Sequence, residues 1–174
     1  MAFIRVKTIP TKKGERYQYA YLVRNKYSRK SKKVCQKVIG YLGRVFRFEG
    51  DSNHSPLTAE GGLMEKPFQE LLPLLFKQEL AHRGFKQVDG VLSHGELSVC
   101  FGENTVVFSK GKKPLNAVIM MNEGFLCKNS YEGLIQFKGR GTEAEVGNQL
   151  ANALLGAGLK VSNELFVALV EKFI

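Results

Sequence analysis

Tryptophan is absent from this 174-residue chain, and three other chemically versatile residues are scarce. Cysteine occurs only as Cys35, Cys100 and Cys127, histidine as His54, His82 and His94, and aspartate as Asp51 and Asp89. Each shortage excludes a class of chemistry. Three widely separated cysteines, odd in number, support neither a disulfide framework nor a zinc ribbon, and they point to a reducing compartment. No histidine has a cysteine or carboxylate at a ligand spacing, so no metal and no cofactor is expected. The acids and histidines form no catalytic constellation, and a non-enzymatic protein is the expectation. No apolar run approaches the ~18 residues that span a bilayer. The opening Met-Ala-Phe-Ile-Arg-Val-Lys interleaves apolar and basic residues where a signal peptide needs an unbroken apolar stretch. A cytoplasmic protein with no membrane partner follows as an expectation.

Acids are nearly missing from one end. Residues 1–50 hold eight lysines and six arginines against Glu15 and Glu49, whereas the other 124 residues hold twelve bases against fourteen acids. The formal charge of +10 therefore belongs wholly to the amino-terminal part. Charge so localised draws polyanions to one face of a molecule.

The basic part alternates with the period of strands. Phe3, Arg5, Lys7 and Ile9 share one face, with Ile4, Val6 and Thr8 on the other, and Pro10 ends the run. Thr11-Lys12-Lys13-Gly14 supplies a turn, and Arg16 to Lys26 reads as a long strand with Tyr17, Tyr19, Tyr21 and Val23 on one side. Ala20, Leu22, Arg24 and Lys26 fall on the other. After the polar connection 28–33, Val34 to Leu42 resumes the strand pattern and ends at Gly43. Connections this short favour hairpins, so the expected product is an antiparallel β-meander.

Two of its turns, Lys12-Lys13 and Arg29-Lys30-Lys32-Lys33, would project cations where phosphates can reach them. Tyr17 and its neighbours Tyr19 and Tyr21 offer rings for stacking on unpaired bases, or simply the half-buried face of a small sheet. The expected nucleic-acid surface comprises Arg5, Lys7, Lys12, Lys13, Arg16, Tyr17, Arg24, Lys26, Arg29, Lys30, Lys32, Lys33, Lys37 and Arg44.

Phe3-Ile4-Arg5-Val6-Lys7, Tyr19-Ala20-Tyr21-Leu22-Val23, Gln36-Lys37-Val38-Ile39 and Tyr41-Leu42-Gly43-Arg44 resemble the amino-terminal β-module of DDE insertion-sequence transposases. The resemblance covers about residues 1–45. Similar short basic modules occur in small archaeal proteins and in ribosome-associated proteins. What it implies is nucleic-acid contact and not transposase activity, because a DDE centre holds two metal ions with three carboxylates on a larger domain.

Residues 49–62 are polar and rich in breakers, and mark the expected linker between a module over 1–48 and an α+β domain over 63–174. Beyond them, Leu71, Leu72, Leu74, Leu75, Phe76 and Leu80 recur at helical spacing, with Pro67 in the first turn and Gly84 as a stop. Pro73 either kinks this helix or opens a second one. Strands are expected over 85–92, 96–101, 105–109, 115–121, 124–128 and 134–138. Two helices close the chain, one announced by the Thr142 and Glu145 of a capping box and one by Ser162 as N-cap. Strands followed by helices indicate helices packed on one face of an antiparallel sheet.

Lys138-Gly139-Arg140-Gly141, leading into a helix, offers Lys138 and Arg140 as an anion site, or is a plain strand-to-helix connection. Lys110-Gly111-Lys112-Lys113 is a further candidate for backbone contact. The whole points to a nucleic-acid binder, with RNA ahead of DNA because the basic part shows no recognition helix. The later domain would serve a protein partner or self-association. The alternative is a DNA-binding accessory of a mobile element.

Overall fold

A computed structural model describes residues 2–29, 32–48, 56–58, 64–111 and 113–174, with the side chain of Ser28 excepted. Lys30, Lys112 and most of the expected linker lie outside the described residues. The fold is α+β, with a nine-stranded mixed sheet and four helices among the described residues. Its strands are β1 (Ala2–Pro10), β2 (Arg16–Ser28), β3 (Lys33–Arg47), β4 (Lys86–Val88), β5 (Val91–His94), β6 (Leu97–Cys100), β7 (Thr105–Lys110), β8 (Lys113–Met121) and β9 (Gly124–Leu126). The helices are α1 (Phe68–Ala81), α2 (Lys128–Ile135), α3 (Glu143–Gly156) and α4 (Asn163–Glu171).

The first three strands form the expected antiparallel meander, with Ala2 opposite Arg24 and Ser28 opposite Lys33 at its far end. β3 then runs past Gly43 and pairs in parallel with β8, from Arg44 opposite Ala117 to Arg47 opposite Met120. Among the described residues this is the one parallel strand pairing in a sheet of order β1-β2-β3-β8-β7-β6-β5-β4. Gly43 makes it feasible. It takes φ +144°, and a Cβ there would stand 2.4 Å from the Asn116 carbonyl oxygen. Only glycine lets the two backbones approach so closely.

Alternation along β8 builds two cores. Ala117, Ile119 and Met121 join Leu92, Leu97, Val99, Val106 and Phe108 against the apolar residues of all four helices. Val118, on the opposite face, packs with Ala20, Val45 and Cys127, flanked by Ile4, Val6 and Leu42. The meander and the later strands thus share both hydrogen bonds and a core. Leu57, within the expected linker, is buried in the larger core and bonded to strand-like partners around Val161: its N–H donates to the Lys160 carbonyl at 2.8 Å, and its carbonyl accepts from Ser162 at 2.9 Å.

α1 continues past Pro73, so no second helix opens there. Proline in a helix interior costs about 3 kcal/mol. Leu71, Leu72, Leu75, Phe76 and Leu80 are all at most 1% exposed, and each such burial contributes roughly 1.5–3 kcal/mol, which outweighs it. Gly84, at φ +81°, closes the helix as expected, with the Phe85 N–H reaching back to the Leu80 carbonyl.

The strand expected over 134–138 is instead the end of α2 and the loop after it. Tyr131 and Leu134, the buried residues of this segment, are three apart, which is helical spacing. Ser130 fixes its start, its Oγ accepting from the Cys127 N–H at 3.0 Å and donating to the Phe125 carbonyl at 2.7 Å. The strand expected over 85–92 is likewise two strands, β4 and β5, turned at Asp89-Gly90, both with positive φ. The last two helices begin where expected, at Thr142 and Ser162.

Candidate nucleic-acid interface

The meander carries its cations in two settings. Beyond the last rung with β1, the pair β2–β3 continues alone as a two-stranded arm from Asn25 to Ser28 and Lys33 to Gln36. Residues paired across an antiparallel ladder share a face. Arg24 opposite Lys37, Lys26 opposite Cys35 and Ser28 opposite Lys33 therefore make one face cationic. Val23 opposite Val38, Asn25 opposite Gln36 and Tyr27 opposite Val34 make the other face neutral, with Tyr27 and Val34 exposed. Arg29 and Lys32 stand exposed at the turn, Lys32 at φ +50°.

The second setting is the tyrosine face. Arg5 opposite Tyr21 opposite Tyr41 forms one rung, Lys7 opposite Tyr19 opposite Arg44 the next, and Ile9 opposite Tyr17 a third. Strict alternation from Val38 would bring Gly40 and Leu42 to this face. Two register shifts, between Ala20 and Tyr21 and between Leu22 and Val23, each leave one extra residue on β3; the one past Val38 brings Tyr41 to this face instead, and the other restores the parity that keeps Arg44 there. The Tyr21 and Tyr41 rings lie 5.5 Å apart, and Tyr19 and Tyr41 6.3 Å. Lys7 Nζ sits 5.2 Å above the Tyr21 ring, and the Arg44 guanidinium 3.8 Å above that of Tyr17. Such pairs are attractive because a ring's face is electron-rich. Arg5 reaches along the same face to donate to the Gln36 side chain.

The Tyr17 hydroxyl donates to the Glu15 carboxylate, and this bond above all holds its pKa up; burial raises that of Tyr41. Both phenols therefore stay neutral and flat-faced under ordinary conditions.

Lys12 and Lys13 occupy the tight turn closed by Thr11 and Glu15, with Arg16 just beyond it. This turn and the arm lie at opposite ends of β2. Its thirteen residues put them at most roughly 40 Å apart at the usual strand rise. Lys138 and Arg140 are exposed in the loop before α3. There the helix start is already occupied: the Glu145 carboxylate accepts from the Thr142 N–H at 2.7 Å and from its hydroxyl at 3.1 Å.

The later strands add residues that the basic run alone does not single out. Phe108, Lys110, Leu115 and Asn116 face Tyr17, Tyr19, Tyr41 and Arg44 across a cavity of about 460 Å³. Lys110 sits in a turn whose sequence is cationic, but the pairing of β3 with β8 that brings it there has no local signal.

Among the described residues, no three His, Cys, Asp or Glu side chains gather as metal ligands would, and no helix is long and apolar enough to cross a membrane. No protein-family model, curated protein or solved structure matches the chain.

Proposed function

We propose that the protein binds nucleic acid, RNA ahead of DNA, without catalysis. The observation that carries this reading is the run of rungs Arg5–Tyr21–Tyr41 and Lys7–Tyr19–Arg44 on one sheet face, together with a projecting arm that carries Arg24, Lys26, Lys33 and Lys37 on the other face. Cations on an arm supply affinity through phosphates, and sheet faces bearing aromatic rings stack on splayed bases of single strands. All three thiols stand free, in keeping with a reducing cytoplasm.

Replacing Arg24, Lys26, Lys33 and Lys37 with glutamine tests it. Binding should weaken, and the slope of log affinity against log salt should fall by roughly 3–4, near one for each phosphate no longer neutralised. An unchanged slope would remove the arm from the phosphates.

A second reading has its own support. A two-stranded ribbon fits the major groove of DNA, and the resemblance to transposase amino-terminal modules falls on these strands. Competition between duplex DNA and RNA at one fixed salt concentration separates the two.

A further inference from the structure

The cavity between β3 and β8 arises from topology. β8 pairs with β3 only from Ala117 onward, while its earlier residues Lys113 to Asn116 are bonded to β7 alone. The sheet is therefore split below the Arg44–Ala117 rung. Tyr19, Tyr41 and Arg44 line one side of the split, and Lys110, Leu115 and Asn116 the other.

Resting on the function proposed above, we infer that this split is a pocket for one unpaired nucleobase. Its volume of about 460 Å³ falls within the usual range for small-ligand sites. Rings of Tyr19 and Tyr41 provide flat apolar walls, and Leu115, 49% exposed, extends them. Asn116, whose side chain alternates to the opposite face with Val118, lines the cavity through its backbone. Arg44 and Lys110 stand at the cavity with no carboxylate among its lining residues, which suits the attached phosphate. A base held in a duplex stack cannot enter, so the ligand is a single strand or a bulged nucleotide.

The chain has no tryptophan, so tyrosine emission reads occupancy directly. The probes are a ten-nucleotide RNA, the matching single-stranded DNA, and their duplexes, titrated at one salt concentration. Either single strand should bind more tightly than its duplex and quench the emission. Tyr41→Ala should weaken single-strand binding roughly tenfold, the loss of one base–ring stack, and leave duplex binding within about twofold, while Tyr41→Phe restores the single-strand value. Equal binding of strand and duplex, or a Tyr41→Ala variant that matches the parent on every probe, would overturn the pocket while leaving a salt-dependent arm contact standing. Absence of binding to any probe would overturn the function and the pocket together.

Discussion

Glu79, in the last turn of α1, and Arg83, just past its end, meet at 2.5 Å with their side chains 0% and 5% exposed. Asn122, in the turn between β8 and β9, ties the pair to the rest of the molecule. Its amide donates to Glu79 at 2.9 Å and to the Gly158 carbonyl at 2.8 Å, and its oxygen accepts from Arg83 at 3.2 Å. Removing one member of a buried ion pair strands the other charge, which typically costs about 3–5 kcal/mol. Glu79→Ala should lower the unfolding free energy by about that amount in urea melts. A loss below about 1 kcal/mol would mean that water reaches the site.

Gly43→Ala tests the junction between the meander and β8. The added methyl would meet the Asn116 backbone at 2.4 Å, and the residue would be held at φ +144°, which an L side chain rarely adopts. The expected result is loss of hydrogen-exchange protection at Val118 to Met120 well before that at Val99 and Val106. Gly40→Ala, with open space around its Cβ position, is the control and should leave protection unchanged.

Acid should loosen the start of α3. The backbone and side chain of Thr142 donate to Glu145 and hold its carboxyl below the ordinary 4.5. A lowered folded pKa adds stability that is present above the unfolded value and is lost as pH falls through the folded one. Stability should therefore fall below about pH 4.5, with Glu145→Gln removing part of that fall. Thr142→Ala should cost about 1 kcal/mol at neutral pH, the usual loss for an N-cap. A Glu145→Gln variant with the parent's acid profile would show the bond to be inert.

Base should act through Tyr131. Burial pushes its phenol from 10.0 up to about 12. The raised folded value gives stability that is complete below pH 10 and declines as pH rises toward 12. Tyr131→Phe should flatten this decline when melting temperature is followed from about pH 9 to 12, and an identical slope in the variant would contradict it.

Features written in neighbouring residues were legible in the sequence: the meander, the caps at Thr142 and Ser162, and the stop at Gly84. The parallel junction was not, because Arg44 and Ala117 carry no local mark of each other. Tyr41 was displaced from the face that alternation assigns by an extra residue in β3, and bulges leave no trace in a period-two pattern. Segment 134–138 reads as a strand only when its apolar residues are counted without those of 128–133, whose spacing makes the helix. The Glu79–Arg83–Asn122 network escaped for the same reason as the junction: its third member comes from a distant turn.

The parallel pairing also sets an order of events during synthesis. Arg44 and its partner Ala117 lie 73 positions apart. At ~5–20 residues per second, β3 emerges roughly 4–15 s before the strand that completes it. Through that interval its outer edge offers unpaired backbone groups, the kind of surface on which nascent chains aggregate. Arg44 and Arg47 stand along that edge, and charged side chains there hinder edge-to-edge pairing of unfinished copies.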